Sequence, residues 1–210
     1  MDGYTGCSVS VISERIDEIS ELHSDILYSM SEVLDIVNDK DEVTGQAERD
    51  EVHRAGLVCR LAYVCFHTAN REVILQKRSL TKKNDPGKLT TATSGHVASG
   101  QDYLEAAIRE VLEETGVEVT AEELVALGVV RADYVQGDYL SYAMRGLFAY
   151  EFKGDIDDLK VEEGDGAGFV KIPIDDIERQ LDEEPEKFAM VLTDKVGRDM
   201  FSSVKRLINK

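Results

Sequence analysis

Four charged residues within a six-residue stretch, Arg109, Glu110, Glu113 and Glu114, have the types and spacing that chemistry needs. On a helix advancing about 100° per residue they fall within an arc of roughly 140°. Leu104, Ala107, Ile108, Val111 and Leu112 fall on the opposite side, so the pattern predicts one buried and one acidic face. Three carboxylates this close repel one another and raise each other's pKa unless a cation or an arginine neutralises them. A divalent metal is the economical neutraliser. Oxygen-only ligands favour a hard ion, Mg²⁺ or Mn²⁺, and Mg²⁺ is commonly shared between one or two carboxylates and substrate phosphates. The chemistry indicated is therefore that of phosphate. The competing reading is a glutamate-rich helix that is simply solvated.

The helix that must position these groups is marked at both ends. Asp102 with Glu105 three residues on forms a capping-box pattern, and Gly116 stands where a left-handed C-terminal cap belongs. Glu105 is also four residues before Arg109, the spacing of an easy ion pair.

Around this helix the chain reads as α/β. VLDIV and EVTGQA flank the turn Asn38-Asp39-Lys40-Asp41, and the apolar run Gly56–His67 and the segment Glu72–Gln76 follow as strands. Asn84-Asp85-Pro86-Gly87 marks a loop before Thr91–Val97 leads into the helix. VALGVV, the stretch Tyr139–Phe152 and GFVKI are the later strands, and 173–181 and 185–208 are expected helices. Residues 12–33 carry Ile12, Ile16, Ile19, His23, Ile26, Met30 and Val33 at alternating four- and three-residue steps. That seam suits either a short coiled coil joining a homodimer or a helix packed on its own domain.

The 210 residues suit one domain with a decorated end. A balance of 24 basic against 42 acidic residues gives a formal charge of −18, which repels polyanions and argues against nucleic acid as a partner. Cys7, Cys59 and Cys65 are odd in number and lack CxxC spacing, so neither a disulfide framework nor a zinc site is indicated. With no basic leader and no membrane-length apolar run, the expectation is a soluble, cytoplasmic protein without a membrane partner.

Residues 95–117, GHVASGQDYLEAAIREVLEETGV, resemble the Nudix box, G-x5-E-x7-R-E-U-x-E-E-x-G-U with U aliphatic. Gly95, Arg109, Glu110, Val111, Glu113, Glu114, Gly116 and Val117 match eight of the nine fixed positions, and Gln101 replaces the first glutamate. The resemblance implies a Nudix-like α/β/α sandwich with a mixed β-sheet over residues 31–210, C-terminal helices included, with residues 1–30 as an N-terminal helical extension. It implies Mg²⁺ (or Mn²⁺) held by Glu110, Glu113 and Glu114, with the Gly95 carbonyl as a further ligand and Gln101 and Arg109 as a bracing pair. A glutamine there still accepts a hydrogen bond from Arg109, so a weakened site is expected, not a dead one.

The activity implied is hydrolysis of a diphosphate bond in a small molecule, with the general base drawn from the box or from a later loop. Glu162 and Glu163 are the loop candidates, although the glycines at 164, 166 and 168 suit a flexible acidic turn equally well. Lys77 and Arg78 are candidates for the outer phosphate, against the plainer reading of exposed strand-end cations. His96 lies beside the box as a substrate-binding candidate, though isolated histidines are more often packed.

A wider stretch, about residues 31–190, is similar to the Nudix subgroup that resembles isopentenyl-diphosphate isomerase, through EVLDIVNDKDEVTGQAERDEVHRAGLVCRLAYV, ILQKRS and SGHV. His96 is retained and His53 corresponds to one metal ligand of those isomerases. Ser94 stands at their cysteine, Cys59 at a second histidine, and Ser141 and Ala143 where acids are required. Hydrolysis is expected over isomerisation, and the third reading is a non-catalytic ligand-binding module in which Gln101 marks decay of the site.

Overall fold

The computed structural model describes residues 32–161 and 166–209. The chain divides into two units, Met1–Glu32 and Val33–Lys210, and the second is the one described below. Residues 12–31 of the expected N-terminal helix lie outside the described residues, as do Glu162 and Glu163.

A small hairpin opens the unit: β1 (Val33–Val37) pairs antiparallel with β2 (Val43–Glu48). A short helix that the sequence pattern did not suggest, α1 (Arg49–Ala55), ends at Gly56 in the left-handed conformation and buries Val52 and His53. Among the described residues the main sheet has seven strands. In chain order these are β3 (Val58–His67), β4 (Glu72–Arg78), β5 (Leu89–Thr91), β6 (Thr93–His96), β7 (Leu124–Gln136), β8 (Tyr139–Glu151) and β9 (Gly166–Pro173). The order across the sheet is β5-β4-β3-β8-β7, with β6 on β3 and β9 on β4. β3 and β8 run parallel and the other pairs antiparallel, so the sheet is mixed.

Helix α2 (Tyr103–Thr115) covers one face of this sheet. Asp102 accepts from the Leu104 and Glu105 amides, the Glu105 carboxylate accepts from the Asp102 amide at 2.9 Å, and Gly116 closes the C-terminus at φ 69°. The caps are those the sequence predicts. Beneath the helix, Gly95, Ala62 and Gly146 are aligned across β6, β3 and β8. A Cβ at Gly146 would come within 2.5 Å of the Tyr103 ring, so the small row lets the helix sit close to the sheet. Ala62, Val64, Phe66, Ala106, Ala107, Val111 and Phe148 form the core there.

The opposite face is covered by α3 (Ile174–Glu183), α4 (Met190–Thr193) and α5 (Lys195–Ile208), packed on Cys65, Leu75, Leu147 and Ala149. The fold is thus an α/β/α sandwich. The expected single helix over 185–208 is instead three pieces, a 3-10 turn at Pro185–Lys187 followed by α4 and α5, because Phe188 and Ala189 are extended and the Asp194 carboxylate caps a new start by accepting from the Gly197 amide. Among the described residues no helix is long and apolar enough to cross a membrane.

Candidate active site

Alternation along the strands decides which groups face α2. Gly95 turns its open Cα toward the helix, where any Cβ would overlap the Glu110 carboxyl group. Glu110 therefore lies directly on the β6 backbone, and it is 8% exposed. Glu114, one turn on, accepts from the Ser94 amide at 3.2 Å. Glu113 sits on the helix flank, half exposed. Leu112, expected on the buried side, is 48% exposed. The inner face is centred on Ala107 and Val111 and takes in Ala106, Glu110 and Thr115, which leaves Leu112 pointing away. The acidic and buried faces overlap instead of opposing each other.

Arg109 ties this group together. Its guanidinium lies 2.7 Å from Glu110 and 2.9 Å from Glu113, and it donates to the His96 carbonyl at 2.8 Å. Burial works to lower its pKa, but Glu110 and Glu113 outweigh that and hold it above the ordinary arginine value. The expected brace from Gln101 is not formed: its Oε1 is buried and accepts no hydrogen bond. Nor does Glu105 pair with Arg109, since its carboxylate is committed to the helix cap.

One guanidinium against three box glutamates leaves the cluster with two net negative charges. The donor set is all oxygen, so the residues suit a hard divalent ion in charge and chemistry. Among the described residues no three acids, histidines or cysteines are already gathered as a coordination shell. Two of the three carboxylates are held by Arg109.

On the other side of β6 lies a second polar group. His96, Leu61 and Arg145 share a row, so their side chains project to the face away from α2. His53 Nδ1 donates to the Leu140 carbonyl at 2.8 Å, which makes Nε2 of a neutral His53 an acceptor for the His96 Nε2–H, 3.0 Å away. Burial, followed by the charge of Arg49, of His53 when protonated, and of Arg109, lowers the His96 pKa well below the usual histidine value. Tyr139 stacks on His53 with 4.6 Å between ring centres. Arg145, which sequence reasoning missed, is 2% exposed and lies over the Tyr63 ring at 5.2 Å. No sequence signal distinguishes it from a surface arginine.

Lys77 is exposed at the end of β4, and Arg78 Nε donates to the Asn84 carbonyl, folding the loop that follows.

Comparison with known proteins agrees with this geometry. Residues 59–192 match the model of the NUDIX domain. A protein of Clostridium acetobutylicum named as an uncharacterized Nudix hydrolase is 29% identical over 156 residues, 72% of this chain and 74% of its own length. The Escherichia coli K12 Nudix hydrolase YfcD is 36% identical over 87 residues, 41% of this chain, which spans about half (48%) of that relative. The solved structure of the DR0079 protein of Deinococcus radiodurans superposes with a TM-score of 0.64 at 24% identity, covering 80% of this chain and 98% of that one. With a family match over more than half its length and a box helix laid against its sheet, the chain belongs to the NUDIX domain family and is a Nudix hydrolase.

Proposed function

We propose that the protein is a Mg²⁺-dependent (or Mn²⁺-dependent) pyrophosphohydrolase that cleaves the diphosphate bond of a small nucleoside-diphosphate-linked or similar organic diphosphate. The observation that carries this reading is Glu110 held on the β6 backbone at Gly95, with Glu114 one turn away on the Ser94 amide. Glu110, Glu113 and Glu114, with the Gly95 carbonyl, are the residues that would hold the ion. Bound there, the ion supplies electrostatic stabilisation for charge that builds on the diphosphate oxygens. Arg109 holds Glu110 and Glu113 in place beside β6. Glu163 is our choice of general base outside the box, with Glu113 or Glu114 the alternatives within it. Lys77 and Arg78 are assigned to the outer phosphate, and His96 to substrate binding from the face of β6 opposite the box helix.

The acidic surface supports a small-molecule substrate over nucleic acid. We place the catalytic domain at residues 31–210, with 1–30 as an extension, and the protein in the cytoplasm. The test is phosphate release from a panel of organic diphosphates with Mg²⁺ or Mn²⁺. No turnover of any compound, together with no effect of Glu114→Gln, would sink the reading.

The wider similarity to isopentenyl-diphosphate isomerase supports a second reading, and the His53–His96 pair is the structural feature that favours it. Against it, Cys59 and Ala143 face each other across β3 and β8 where the isomerases carry a histidine and an acid. Solvent deuterium appearing in an allylic product would revive it.

A further inference from the structure

Strand β7 forms one end of the main sheet: it pairs with β8, and among the described residues its outer edge pairs with no strand. It runs for 13 residues without proline. A long open edge presents a row of backbone donors and acceptors to any chain that can add a strand, and proteins usually blunt such edges. Val129, Arg131, Asp133 and Val135 alternate onto one face of it, and both valines are nearly half exposed, at 47% and 48%.

We propose that β7 pairs antiparallel with β7 of a second copy of this chain, about a twofold axis at Ala132. That register sets Arg131 opposite Asp133 of the second copy, and Asp133 opposite its Arg131. In the same register Val129 meets the second copy's Val135 on either side. A dyad at residue 131 would oppose two arginines, and one at 133 two aspartates, so the charge pattern selects 132. Each Arg131 already holds its own Asp133 at 2.5 Å and Asp39 at 3.1 Å, and in the dimer it lies between acids of both copies. The contact is isologous and closes on itself. A chain carrying −18 repels its copy, and these two symmetric ion pairs supply local compensation.

The test is the mass of the full chain by size-exclusion chromatography with light scattering over a range of concentrations. The wild type is expected at twice the chain mass. Asp133→Arg and Arg131→Asp each oppose like charges twice across the dyad, and each should weaken the dimer by about tenfold. The double variant, which exchanges the two charges, should restore it. An independent measurement mixes a Val129→Cys chain with a Val135→Cys chain under mild oxidation: cross-linked dimer should form in the mixture and not in either chain alone. A monomeric wild type at every concentration overturns the proposal. So does a dimer indifferent to both single charge reversals, or cross-linking of one cysteine variant alone to the same extent as the mixture.

Discussion

Gly95 and Glu110 share a space that one methyl group would fill: the Glu110 carboxyl group occupies the position where a Gly95 side chain would begin. The first residue of the box is therefore a glycine for steric reasons, since the helix could not bring its acid onto the strand otherwise. Gly95→Ala should displace Glu110 from β6. Forcing an atom into a filled site costs about 1–3 kcal/mol, so the variant should unfold at lower denaturant and lose most of its turnover. A variant with wild-type stability and rate would show that Glu110 has room elsewhere.

Because Arg109 holds two carboxylates, cation binding and the arginine compete for the same charges. Glu110→Gln removes the more buried of the two. The expected result, by calorimetric titration with MgCl₂ alone, is a loss of affinity of at least about tenfold, the scale seen when groups that orient metal ligands are removed. Unchanged affinity would take Glu110 out of the ligand set.

Much of this arrangement was legible in the chain, and the misses share one cause. The ends of α2 could be read because capping is local: Asp102, Glu105 and Gly116 act within one turn of the backbone they satisfy. The inner face could not, since the sheet decides which stripe is buried, and here it chose the one holding Glu110 over the one holding Leu112. Helix α1 escaped notice because Arg49–Ala55 has a single apolar pair of positions, too few for a period. The break before α5 was hidden for a related reason. Val191, Leu192 and Val196 keep a helical spacing across Asp194, and only the cap geometry shows that two helices meet there. The His53–His96 contact joins residues 43 positions apart and has no local signature.

Gln101 offers a direct test of the odd box position. Its buried Oε1 has no donor, so the side chain braces nothing through that atom. A carboxylate in its place would attract Arg109 and free part of the charge now held on Glu110 and Glu113. Gln101→Glu should therefore bind Mg²⁺ more tightly and turn over faster by several-fold, about the effect of 1 kcal/mol. A slower enzyme with weaker Mg²⁺ binding would mean that the neutral amide is required.

His67 gives the fold a dependence on pH away from the box. Burial lowers its pKa, with Glu151 and the Thr68 backbone opposing the shift in part, and its Nδ1 has no hydrogen-bond partner. The folded chain thus holds this imidazole neutral, while the unfolded chain protonates it near pH ~6.5. Above that value neither state gains a proton, and the stability is fully present. As pH falls from ~6.5 toward the lower folded value, the unfolded state binds more protons and stability declines. Urea midpoints at pH 7.5 and 5.5 should therefore differ more for the wild type than for His67→Phe, which keeps an aromatic ring and removes the titration. Equal differences in the two proteins would place the acid sensitivity on other groups.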